Sequence, residues 1–196
     1  MTTTEVLPLA EMQAEVAAYC ELMGWNDSPV TFPAALALLH SEVAEASDAW
    51  RVHGLADATR YLEHMHEDDG TVEGCPGCFQ NPKPEGVGSE FADILIRALD
   101  DSDRFGLPTT DYVEADQGVF ALDDGFLENM NALHCAIARV SLARETCYED
   151  PARELAGVIM FLRQLCGLYG IDLQAEYTRK MAYNRTRPRR HGGKRA

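Results

Sequence analysis

The amino-acid sequence predicts an all-α protein, a helical bundle, and three observations carry that prediction. Apolar residues recur at steps of three and four along nearly the whole chain. Proline and glycine punctuate the ends of these runs, where helices start and stop. No alternation of apolar and polar residues long enough for a strand stands out.

Taken in order, Leu9, Met12, Val16, Tyr19 and Met23 form a first helical stripe, and Leu36, Leu39, Val43, Ala46 and Trp50 a second. Thr31 and Pro33 mark the start of the second helix, since proline is tolerated where the first N–H groups have no helical partner. A third helix is expected from about Gly88 to Phe105, with Phe91, Ile94, Leu95 and Ala98 inward and Gly106 and Pro108 ending it. Three more are expected near 124–147, 151–169 and 172–185, separated by Asp150-Pro151 and by Gly170. Residues 53–88 break the pattern. They are rich in Gly, Pro, His, Cys and acids, and read as a long inserted loop with a short helix near Ala58 to Met65.

A chain of 196 residues, 46% of them hydrophobic, can bury one good core or two small repeats sharing one. No stretch approaches the roughly 20 apolar residues of a membrane span, and Met1 to Glu5 lack the basic start of a secretory signal. A cytoplasmic protein without a membrane partner is expected. Of the six cysteines, Cys20, Cys135, Cys147 and Cys166 stand singly in helical patterns, where a reduced thiol acts as a small hydrophobe. The net charge of −15 argues against binding a nucleic-acid polymer, which an acidic surface repels. Yet eight of the 17 Lys and Arg residues fall between Thr178 and Ala196, with no acid among them. Such a segment is either a solvated basic arm or a strap that folds over an anionic ligand.

Compared with itself, the chain shows a repeat. Leu39-His40-Ser41-Glu42-Val43-Ala44-Glu45 aligns with Leu133-His134-Cys135-Ala136-Ile137-Ala138-Arg139 at an offset of 94. Ser89-Glu90-Phe91-Ala92-Asp93-Ile94-Leu95-Ile96 aligns with Arg153-Glu154-Leu155-Ala156-Gly157-Val158-Ile159-Met160 at an offset of 64, and Arg104-Phe105-Gly106-Leu107 meets Leu168-Tyr169-Gly170-Ile171 at the same offset. The first copy therefore holds 30 extra residues, which matches the inserted loop. The implied organisation is an acid-bearing repeat over 1–118, a degenerate repeat over 119–186 and a basic tail over 187–196. The second copy has Ala136, Arg139 and Gly157 where the first has Glu42, Glu45 and Asp93, so it should hold no metal. Acids lie in one half and bases follow the other, which suggests one composite site.

Glu42 and Glu45 are three apart on a helix, as are Glu90 and Asp93, so each pair projects from one side. Each lies beside an apolar stripe, and packing the stripes together brings both pairs to one cleft. Converging carboxylates repel, and a hard divalent cation relieves the repulsion. An all-oxygen set without His suits magnesium, with manganese able to substitute, better than zinc. Together with the basic C-terminal segment, this set can neutralise a polyphosphate, activate water and stabilise a leaving pyrophosphate.

In these residues the sequence resembles the MazG-like all-alpha nucleotide pyrophosphohydrolases, marked by ExxE on one helix and ExxD on the next. Here these are Glu42-Val43-Ala44-Glu45 and Glu90-Phe91-Ala92-Asp93. That group includes dimeric dUTPases and phosphoribosyl-ATP pyrophosphatases. The resemblance implies magnesium-dependent hydrolysis of a nucleoside triphosphate, in particular a deoxynucleoside triphosphate, to the monophosphate and pyrophosphate. It also implies that Glu42, Glu45, Glu90 and Asp93 ligate the metal, with Glu45 a candidate for deprotonating the attacking water. The ending Lys180-Met181-Ala182-Tyr183-Asn184-Arg185-Thr186-Arg187, then His191-Gly192-Gly193-Lys194, looks like the tail of phage and actinobacterial members. By that likeness Lys180, Asn184 and Arg187, joined by His191 and Lys194, touch phosphates or sugar. The family's usual homodimer can here be imitated within one chain, so a homodimer and a pseudo-dimeric monomer both remain open.

Two secondary sites stand out. Cys75 and Cys78, with His64 and His66 upstream, have the spacing of a structural zinc site, set against a metal-free reduced loop. Trp50, one turn beyond the acids, is a candidate surface for stacking on a base, set against an ordinary core tryptophan. His40 and its counterpart His134 read as packed or hydrogen-bonded core residues. The competing function is a catalytically inactive nucleotide-binding or regulatory module. A di-iron carboxylate bundle is disfavoured by the lack of Glu-x-x-His pairs.

Overall fold

A computed structural model describes residues 8–55, 58–62, 83–115 and 118–193. The protein is all-α. Helices α1 (Leu9–Met23), α2 (Phe32–His53), α3 (Val87–Arg104), α5 (Phe126–Thr146), α6 (Pro151–Tyr169) and α7 (Leu173–Thr186) follow the expected stripes, and a short α4 (Thr109–Ala115) is added between α3 and α5. The inward residues of all three named stripes are buried, except Trp50, which is half-buried.

The segment expected as a loop with a short helix is built differently. Arg60–Leu62 forms a strand, β1, that pairs antiparallel with β2 (Lys83–Glu85). The expected helix near 58–65 is thus replaced, over its described residues, by one side of a two-stranded ribbon. Pro84 at the centre of β2 supplies no N–H, which a strand with only one partner tolerates. The interior of the insertion, with His64, His66, Cys75 and Cys78, lies outside the described residues, as does Lys194.

Helix α3 is the hub. It packs against α1, α2, α6 and α7, which is why nearly every side of it is buried. Helices α2 and α5 pack on each other, and α5 on α6, so helices of both proposed repeats share one core. At the α2–α5 contact His40 Nδ1 and His134 Nδ1 lie 2.8 Å apart, with the rings stacked at 5.1 Å. Burial holds both imidazoles below their ordinary pKa, so one neutral ring can donate to the other. Both histidines are hydrogen-bonded packing residues, as their sequence setting suggested.

Helices α3 and α6 end alike. Gly106 and Gly170 both take left-handed backbone, at φ 63° and 67°, where a side chain would be strained. Each lets the next residue reach back: Leu107 N–H donates to Ser102 O at 2.9 Å, and Ile171 N–H to Cys166 O at 2.8 Å. Asp150 and Asp172 cap α6 and α7 by accepting from Ala152 N–H and Ala175 N–H. Cys20 and Cys166 are buried as expected, whereas Cys135 and Cys147 are exposed, because their positions on and after α5 face away from the core. No single described helix is long and apolar enough to cross a membrane.

Candidate functional site

The inner faces of α1, α2, α3 and α7 enclose a cleft of about 420 Å³. At one end, oxygen atoms of Glu42, Glu45 and Glu90 lie within 4.8 Å of one another. The helical spacing explains the convergence: α2 and α3 pack with their acid-bearing edges together. Glu42 and Glu90 are buried and Glu45 is exposed. Burial, outweighing the nearby Lys180 charge, pushes the Glu90 carboxyl up to about 7. Burial likewise raises Glu42, against the pull of Arg97. An all-carboxylate donor set destabilised by its own burial and mutual repulsion fits a hard divalent cation.

Asp93 stands beside this triad rather than within it. Its Oδ2 accepts from Lys180 Nζ at 2.6 Å, and its charge raises the pKa of both Glu42 and Glu90. Lys180 also donates to Ser89 Oγ at 2.7 Å, while Ser89 donates to Pro84 O at 2.9 Å. The ribbon thus orients Ser89, and Ser89 orients Lys180. Desolvation opposes the charge on Lys180, but Asp93 and Glu90 more than offset it, so the ammonium stays protonated. It has three donors, of which two are used, leaving one for an anion in the cleft.

Asn184, Arg187 and His191 also line the cleft, with Tyr19 and Trp25. Asn184 is 5% exposed, and its Oδ1 has no hydrogen-bond partner. His191 Nε2 lies 3.0 Å from the Tyr19 hydroxyl, and its ring meets Trp25 edge to face at 5.1 Å. The tail is held down by its other bases. Arg189 pairs with Asp27 at 2.8 Å, and Arg190 donates to Gly24 O at 2.8 Å. The basic segment is therefore not a free arm over its described length: Arg189 and Arg190 fasten it, and Arg187 faces the cleft.

Trp50, weighed as a stacking surface for a base against an ordinary core tryptophan, does not line the cleft. It stacks on Phe126 at 5.2 Å and 8°, and Phe126 continues onto Phe91 and Tyr169. Trp50 is a packing residue of the α2–α5 contact, and Trp25 is the tryptophan at the cleft. Arg97, which pairs with Glu42, stands one turn beyond Asp93 on the same face, a spacing visible in the sequence. Tyr19, Trp25 and Asp101 carry no local signal, since only packing turns them to the cleft.

No family model, no curated protein and no solved structure matches this chain.

Proposed function

We propose that the protein is a magnesium-dependent nucleoside triphosphate pyrophosphohydrolase of MazG-like type. The convergence of Glu42, Glu45 and Glu90 oxygens within 4.8 Å, at the end of a cleft faced by Lys180, carries this reading. Glu42, Glu45 and Glu90 would hold the ion, with Asp93 at its edge, and manganese could replace magnesium. The ion would supply charge neutralisation on the phosphates and a more acidic water. Glu45, exposed and without a described cation partner, takes a proton from the attacking water. Lys180 and Arg187 bind phosphate oxygens, and Asn184 accepts from the sugar. Water adds its oxygen as the bridge between the first and second phosphorus atoms breaks, giving the monophosphate and pyrophosphate.

The composite site fits an internal duplication in which the acids come from one copy and the bases follow the other. His40 and His134, equivalent in the two copies, touch each other, as equivalent residues do on a twofold axis. The matching caps at Gly106 and Gly170 belong to the same correspondence. In the second copy Arg139, where the first has Glu45, pairs at 3.4 Å with the retained Glu154. That pairing removes the need for a cation there and favours a pseudo-dimeric monomer.

The test is to incubate the protein with a panel of ribo- and deoxynucleoside triphosphates and magnesium, measuring pyrophosphate and monophosphate. At least one should be cleaved, and Glu45→Gln or Glu90→Gln should lower turnover by at least about 100-fold with the helical content intact. Release of no pyrophosphate from any of them would leave the inactive nucleotide-binding module. Near-normal rates in both variants would remove the assigned site.

A further inference from the structure

The end of the cleft away from the acid triad contains a group that the proposed hydrolysis does not use. Asp101 lines the cleft, is 5% exposed, and its Oδ2 has no hydrogen-bond partner. The two guanidinium groups near enough to influence it are both engaged elsewhere, Arg97 with Glu42 and Arg104 with Asp100 at 2.9 Å. A buried carboxylate oxygen left without a donor costs stability, and native proteins rarely keep one without a reason. Burial, reinforced by the neighbouring Asp100, pushes its carboxyl up to about 7.

We propose that Asp101 reads the nucleobase, accepting a ring N–H, and that Arg104 beside it donates to the adjacent carbonyl oxygen, so that keto bases (guanine, hypoxanthine, uracil, thymine) are preferred over adenine and cytosine. This rests on the reading of the cleft as a nucleotide site. The spacing fits. Glu90, Asp93, Arg97, Asp101 and Arg104 follow one face of α3, all lining the cleft. Eight residues of helix separate Asp93 from Asp101, roughly 12 Å of rise, which is the reach of a nucleoside from its phosphates to the far edge of its base.

The chemistry also excludes the other orientation. Asp100 and Asp101 repel phosphate, so the phosphates belong with Lys180 and the cation site. Arg97 and Arg104 repel a cation, so the Asp100–Asp101 end is no second metal site, and the converging carboxylate group among the described residues is at the other end. Ala35, Leu38 and Ile96 supply apolar walls on which a flat ring can lie. The ionised carboxylate discriminates strongly there, because adenine N1 or cytosine N3 turns a nitrogen lone pair toward its oxygen where a keto base offers an N–H.

The experiment is calorimetric titration of dGMP, dTMP, dAMP, dCMP and N3-methyl-dTMP into the full-length protein in magnesium buffer, using wild type, D101N and D101A. The wild type should bind dGMP or dTMP at least about 10-fold more tightly than dAMP and dCMP, and N3-methylation should weaken dTMP by a similar factor. In D101N and D101A these ratios should fall to within about twofold. Should either variant fail to fold, Asp101→Glu and the wild-type methylation arm still decide the matter. Ratios unchanged in the variants, a wild type indifferent to methylation, or no binding of any monophosphate would each overturn the proposal. Asp101-dependent discrimination without triphosphate cleavage would sink only the hydrolase reading. Cleavage with indifference to the base would sink only the role of Asp101.

Discussion

Asp101 shows how a single residue can weigh against the fold that holds it. Its carboxyl has a higher pKa folded, about 7, than its ordinary 3.8. The folded state therefore holds that proton more tightly, and the contribution is fully present below about pH 4 and lost as pH rises through 7. Replacing Asp101 by Asn should stabilise the fold by up to about a few kcal/mol at pH 8, raising the melting temperature there, and change it little at pH 4. Thermal unfolding at the two pH values checks this, and an equal gain at both would mean that Asp101 is not buried as a charge. Lys180 is the opposite case. Its charge is stabilised by Asp93 and Ser89, so the cation that the proposed reaction would use is held protonated in a buried setting.

At the scale of elements, the ribbon at the edges of the insertion orders the site. Gly88 N–H donates to Ala58 O at 2.9 Å, and a Cβ on Gly88 would lie 2.8 Å from the Glu176 carboxyl carbon. Glu176 in turn accepts from Thr59 and Arg179, which binds α7 to the first strand's approach. Gly88→Ala should therefore cost about 1–3 kcal/mol by forcing Glu176 aside. It should also lower turnover, because α7 carries Lys180 and Asn184. Denaturant unfolding beside a cleavage assay measures both, and a variant as stable as wild type would show that the approach is slack. The tail is a second such device. Arg190 and His191 adopt positive φ values of 50° and 48°, unusual for residues with side chains, and their contacts to Gly24, Tyr19 and Trp25 offset that cost.

Across the whole molecule, α1 and the tail close one wall of the cleft from opposite ends of the described chain. Ending the chain after Thr186 should leave the helical content unchanged and raise the Michaelis constant by about tenfold or more, since Arg187 and His191 are lost. An unchanged constant would return the tail to a passive role. The order of the six long helices was legible because amphipathic periodicity and Pro or Gly punctuation act locally, within a turn or two of each residue. The acid pairs were legible for the same reason: three-residue spacing places Glu42 with Glu45, and Glu90 with Asp93, on any helix. The β1–β2 ribbon was not legible, because three-residue strands separated by a long insertion leave no periodic signal. What sequence determined, then, was the helices and the acids they carry. Tertiary packing alone decided that Asp93 faces Lys180, that Trp25 and not Trp50 meets the cleft, and that Asp101 Oδ2 is left without a hydrogen-bond partner. Those outcomes depend on which faces of distant helices meet, a property of the assembled core that no local window contains.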